Sequence, residues 1–92
     1  MSAPRTYVKC EVSPGLFSRE REVAVPSTLS APHRAIVDQG DVKTIGNQDA
    51  VRVYLVRQKE DGYLVDLPRE TFTSGPRVLV PKDALIWEGV GE

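Results

Sequence analysis

The stretch that decides the fold is "GPRVLVPKDALIWEGVGE", which runs from Gly75 to Glu92. Arg77 to Pro81 is typical of a β-strand and stops on a proline, and a second apolar run, Ala84 to Trp87, begins only two residues later. Proline suits such a step because it fixes φ near a helical value and donates no ladder hydrogen bond. The pattern therefore predicts a strand, one 3₁₀ turn and a last strand, which lets a small sheet cross from one rim to the other.

The rest of the chain also alternates with the period of strands, and prolines and glycines separate the apolar runs. Residues 39–49 could form either a short strand or an ordered loop. Asp61 and Gly62 suit the positive φ of a hairpin turn. Phe72 is expected to point inward as the anchor of a loop. The other runs with the period of a strand cover residues 6–12, 21–25, 34–38, 50–58 and 63–67.

We therefore predict an all-β chain, an SH3-like small barrel of five to six short antiparallel strands with a 3₁₀ turn before the last strand. At 92 residues the chain is long enough for one such domain, residues 1–92. Residues 1–5 and 89–92 are expected to be flexible tails.

The last third of the chain resembles the type II, plasmid-borne dihydrofolate reductases. The shared features are an acidic-Gly-Tyr turn, a glycine before the next strand, and a strand that ends in Pro-x-x-Ala-Leu, represented here by Asp61, Gly62, Tyr63, Gly75, Pro81, Ala84 and Leu85. The resemblance covers roughly 25 of the 92 residues and implies an SH3-like barrel that works as a homotetramer around a central pore. In that family a Gln-Ile-Tyr triplet before the proline binds cofactor and folate. Val78, Leu79 and Val80 stand there in this chain, so the resemblance implies the fold without the catalysis.

Composition argues against several classes of partner. Twelve basic and thirteen acidic side chains give a net charge of −1, without the basic excess typical of nucleic-acid binding. No apolar run is long enough to span a membrane. A single cysteine excludes an intrachain disulfide, and the first residues lack the apolar stretch of a signal peptide. We expect a cytoplasmic protein with no membrane partner and no nucleic-acid partner.

Few residues are candidates for catalysis or for metal binding. Cys10 and His33 could form a nucleophile pair, but Cys10 shares a strand face with Val8 and Val12, which predicts a buried, inert thiol. His33 is expected on a surface loop. One Cys and one His cannot ligate zinc within a chain, and Glu60 and Asp61 are expected to be solvated turn residues. We expect neither a catalytic residue nor a metal or other cofactor.

The predicted strand over residues 50–58 is apolar on both faces, which suggests a binding surface. A tightly curled barrel that partly buries both faces would explain this pattern, and so would a homo-oligomer interface. A ligand groove is a third possibility. Trp87 is more typical of a barrel-closing core residue than of a ligand platform. The candidate surface comprises Arg52, Tyr54, Val56, Tyr63, Leu79 and Trp87.

The sequence favours a non-catalytic binding or assembly module that associates with itself. The alternative is an oligomeric small-molecule-binding protein or enzyme whose site forms between subunits. A third hypothesis, nucleic-acid binding through Arg19, Arg21, Arg34 and Arg52, would require affinity that falls steeply with salt.

Overall fold

The computed structural model describes residues 5–28, 31–72 and 75–88. Within these residues the only helical elements are two 3₁₀ turns, Gln39–Asp41 and Lys82–Ala84. The prediction of an all-β chain is confirmed. The strands are β1 (Arg5–Lys9), β2 (Glu11–Pro14), β3 (Glu20–Val25), β4 (His33–Asp38), β5 (Val42–Ile45), β6 (Gln48–Lys59), β7 (Gly62–Asp66), β8 (Arg77–Val80) and β9 (Leu85–Glu88).

Strand β6 organises the larger sheet, whose hydrogen-bonded order is β8-β7-β6-β1-β9, with β5 also paired to β6. The first half of β6 lies between β1 and β5, so that Val51 is opposite Val8 on one side and Val42 on the other. The second half pairs with β7 after a register shift between Leu55 and Arg57. One long strand thus serves two groups of neighbours, as a curled sheet requires.

A second sheet, β2-β3-β4, packs against the first. Backbone contacts also join each sheet to the connecting segments of the chain. The N–H of Cys10 donates to the carbonyl of Asp49 at 3.1 Å, and Ala35 of β4 forms an isolated antiparallel bridge with Thr71. The chain after β3 reaches β8, where the N–H of Thr28 donates to the carbonyl of Leu79 at 3.1 Å.

The core between the sheets consists mainly of valine, a β-branched residue that fits pleated surfaces. Cys10, Ala35, Leu67 and Leu85 complete it, and Tyr63 packs against its margin. The largest fully buried side chains are Val8, Val23, Val25, Val37, Val51, Val65, Val78 and Val80.

The broken last strand has the predicted form. Pro81, with φ −60°, precedes the 3₁₀ turn, and the N–H of Ala84 donates to its carbonyl at 3.0 Å. Strand β9 then pairs antiparallel with β1, so that the last described strand lies beside the first. Among the described residues the hydrogen-bonded path is open, with β8 and β9 at its two ends.

The number of strands differs from the prediction, because the alternating stretch 6–12 is two strands and residues 42–45 form a further one. Lys9 is the last residue of β1 and pairs with β6, whereas Glu11 is the first residue of β2 and pairs with β3 in the other sheet. The chain therefore changes sheets at Cys10. Of the predicted tails, Arg5 belongs to β1, and the other residues lie outside the described part.

Residues 39–49 also acquire a definite structure. A 3₁₀ turn capped by the Asp38 carboxylate leads into β5, and a two-residue turn then connects β5 to β6. Gly46 occupies the first turn position with φ 64°, as a type II′ hairpin requires.

Gly62 was predicted to supply a positive φ, and this prediction is wrong, because Gly46 is the only glycine with positive φ among the described residues. Gly62 is buried as the first residue of β7, and a Cβ there would overlap the carbonyl oxygen of Val80. The residue is small because β7 and β8 approach closely at this point.

We expect Gly62→Ala to lower the free energy of unfolding by about 2 kcal/mol or more, because the added methyl group must push β8 away. Gly75→Ala is the matched control, since a Cβ there meets no atom within 4 Å, and its expected effect is within about 0.5 kcal/mol. Urea denaturation of both variants measures the difference. Equal midpoints for the two variants would contradict the close approach.

Candidate binding surface

The outer face of the β6-β7-β8 sheet carries two rows of side chains. Residues directly opposite one another on antiparallel strands lie on the same face. One row contains Tyr54, Asp66 and Arg77. The neighbouring row contains Arg57, Leu64 and Leu79.

Apolar side chains on this face meet solvent. Tyr54 is 57% exposed and Val56, the unpaired residue of the β6 bulge, is 41% exposed. Leu64 and Leu79, which lie opposite each other, are half-buried. We call these four residues the outer-face patch. Large apolar groups left in water on adjoining strands are typical of a surface that a partner covers.

A charged pair borders the outer-face patch. The Arg77 guanidinium donates from Nε to Oδ1 of Asp66 at 2.8 Å and from Nη2 to Oδ2 at 3.1 Å. These hydrogen bonds lower the pKa of Asp66 and raise that of Arg77. The Arg52 guanidinium lies 5.8 Å from the centre of the Tyr54 ring, within the range of a cation–π contact. Tyr54 therefore has a guanidinium group beside its ring and Asp66 opposite it on β7.

The structure brings together four of the six predicted surface residues. Arg52 and Tyr54 are two positions apart on β6, Val56 adjoins them at the bulge, and Leu79 lies two strands away on the same face. Tyr63 is opposite the buried Val80 on the other face, where it packs against the core.

Trp87 belongs to a different part of the molecule, on β9 opposite Thr6. The prediction that it closes the core is wrong, because its side chain is 48% exposed. The reason is that β9 is an edge strand with β1 as its only partner among the described strands. Phe72 was predicted to point inward and is instead 59% exposed.

A second apolar surface, which was not among the predicted site residues, lies at the turn between β2 and β3. Leu16 is 91% exposed and Phe17 is 71% exposed. The available signal was two adjacent large apolar residues inside a turn bounded by Gly15 and Ser18, a place where turns are normally polar.

Most of the arginines proposed for nucleic-acid binding form ion pairs or hydrogen bonds with neighbouring groups of the same chain. Arg19 lies 3.4 Å from an Asp38 carboxylate oxygen, and Arg34 lies 2.9 Å from a Glu22 carboxylate oxygen. Arg21 donates to two backbone carbonyls and to Gln39. Of the four arginines, Arg19 and Arg34 thus face a carboxylate, which reduces the positive charge at those two positions.

Cys10 is buried, as predicted. Burial, followed by repulsion from Asp49, raises the pKa of its thiol to about 12, so the reactive thiolate is disfavoured. His33 differs from its prediction as a surface loop residue, since it is the half-buried first residue of β4 and pairs with Val25. Glu60 and Asp61 are exposed turn residues, as predicted.

Two kinds of feature are absent from the described residues. They contain no group of three or more His, Cys, Asp or Glu side chains that could hold a metal ion. In the same residues no helix has the length and apolar character to cross a membrane.

Comparison with known proteins gave no relative: no family model, no curated protein and no solved structure matches this chain. The resemblance to the type II dihydrofolate reductases therefore stays a prediction from the short motifs of the last third.

The raised pKa of Cys10 predicts a dependence of stability on alkaline pH. The unfolded thiol loses its proton above its ordinary pKa of 9.0, whereas the folded thiol keeps it to about 12. The stabilisation is therefore complete below pH 9, and the free energy of unfolding then falls by up to about 1.4 kcal/mol per pH unit. Urea denaturation of wild type and Cys10→Ala between pH 8 and pH 11 isolates this slope from that of other groups. Parallel curves for the two proteins would contradict it.

Proposed function

We propose that this chain is a non-catalytic assembly module that binds a second copy of itself through the outer-face patch. The observation that carries the proposal is the exposure of Tyr54 and Val56 beside the half-buried Leu64 and Leu79. A closed two-fold contact is the commonest way for identical chains to cover such a face. The two Tyr54 rings and the two leucine pairs would then lie near the axis.

The size of the patch sets the strength of the contact. Three strands about 4.8 Å apart and about four residues long present roughly 200 Å² of projected area per copy. A stable interface of standard size buries about 800 Å² on each partner. The outer-face patch alone therefore supports weak, concentration-dependent pairing, and a stronger assembly needs a further contact.

A second candidate function is an oligomeric small-molecule-binding protein or enzyme with its site between subunits. It is favoured by the position of the Asp66–Arg77 pair directly beside Tyr54. Two-fold pairing would repeat these three polar side chains around the axis, where a bound ligand could contact both copies. This candidate shares the first requirement of the assembly module, which is association.

Light scattering across a range of protein concentrations tests the proposal. We expect the wild-type mass to rise with concentration and Tyr54→Glu to reduce the association, because two buried carboxylates would face each other across the axis. Asn47→Glu adds the same charge at the exposed β5-β6 turn and is the control that should behave as wild type. Wild-type protein that stays monomeric at every concentration would refute the proposal and its alternative.

A further inference from the structure

The β2-β3 turn is a hydrogen-bonded element of fixed shape. The N–H of Gly15 donates to the carbonyl of Glu20 at 3.1 Å, and the N–H of Glu20 donates to the carbonyl of Phe17 at 2.9 Å. A Cβ at Gly15 would lie 2.7 Å from the Cβ of Glu20, so the turn closes tightly. This closed backbone presents Leu16 and Phe17 to solvent, and we call these two residues the hairpin tip.

A cavity of about 280 Å³ lies at the other end of the same hairpin. The hairpin tip lies beyond the cross-strand pair of Pro14 and Arg21. The cavity lies beside the pair of Glu11 and Ala24, at the opposite end of the β2-β3 ladder. Mainly apolar groups line it, and its size falls near the lower end for ligand pockets. Its apolar lining includes Cys10, Ala24, Pro26 and Pro32, and its charged lining includes Lys9 and Glu11.

One basic and one acidic side chain stand beside each of the two surfaces, the hairpin tip and the cavity, so that opposite charges could pair across a contact between them. Arg19 and Glu20 follow the tip, while Lys9 and Glu11 border the cavity. Within the described part of the chain, neither Lys9 nor Glu11 nor Glu20 has an ion-pair partner, and Arg19 has one at 3.4 Å. An apolar centre with a charged rim is the usual anatomy of a protein interface.

We propose that the hairpin tip of one copy inserts into the cavity of the next copy, so that Arg19 meets Glu11 and Glu20 meets Lys9. This inference rests on the proposed self-association and adds a second, head-to-tail contact to it. The two partner surfaces lie at opposite ends of one hairpin, so the contact is heterologous and repeats from copy to copy. Such contacts produce a closed ring or an open chain.

Sedimentation velocity of the wild type and of Phe17→Ser tests the insertion. We expect wild-type species larger than a dimer, and we expect Phe17→Ser to weaken head-to-tail association by about tenfold or more, since buried aromatic anchors carry much of an interface's energy. Phe72→Ser is the matched control, because it removes another exposed phenylalanine and should leave the size distribution unchanged. Both substituted residues lie at the surface, and circular dichroism verifies the fold.

Charge reversal tests the proposed ion pairs between the hairpin tip of one copy and the edge of the cavity in the next copy. Glu11→Arg and Arg19→Glu should each weaken the assembly, and the double variant should restore it, because every copy then carries both reversed partners. A double variant no better than either single variant would overturn the pairing.

The remaining outcomes separate this contact from the outer-face patch. Wild-type assemblies that Phe17→Ser leaves unchanged would overturn the head-to-tail contact and leave the patch intact. Wild-type protein that is monomeric throughout would overturn both. Cosedimentation with phosphatidylcholine–phosphatidylserine vesicles that depends on Phe17, without any change in the mass of the protein, would assign the tip to a membrane and also overturn the proposal.

Discussion

Strand β6 is the constraint on which the rest of the structure depends, because its two halves belong to different groups of strands. Its first half fixes β1 and β5 around Val51, and its second half fixes β7. A slip of one residue would turn every side chain of a strand to the opposite face. The β-bulge between Leu55 and Arg57 introduces one such change of register. It leaves Val56 unpaired and places Arg57 opposite Leu64. The bulge therefore helps to create the outer-face patch as well as the curl of the sheet.

The valine core has a consequence for the surface. Valine side chains are short, so a core built mainly from them is thin. A core of this thickness has little space for large rings, since protein interiors are close-packed. Four of the six aromatic side chains, those of Phe17, Tyr54, Phe72 and Trp87, are exposed, whereas Tyr7 is buried outside this core and Tyr63 packs at its margin. The same packing that stabilises the chain thus supplies the apolar surface from which we infer assembly.

Local patterns predicted those features that local physics determines. Pro81 indicated the 3₁₀ turn, and the alternation along β6 indicated that Arg52 and Tyr54 share a face. The division of residues 6–12 could not be predicted, because the alternation continues through Cys10 and only pairing with two different sheets separates β1 from β2. The position of Trp87 depends likewise on its strand being an edge, which is a property of the topology.

The two proposed contacts have different symmetries, and this difference determines what each can build. Contact through the outer-face patch is two-fold and is complete after two copies, whereas contact between tip and cavity leaves a free tip and a free cavity after each addition. Neither surface is large by the standard of stable complexes. Used together, the contacts reinforce each other, because a copy held at one surface meets its neighbour at a high effective concentration at the other. Assembly should therefore depend on protein concentration more steeply than either contact alone would require.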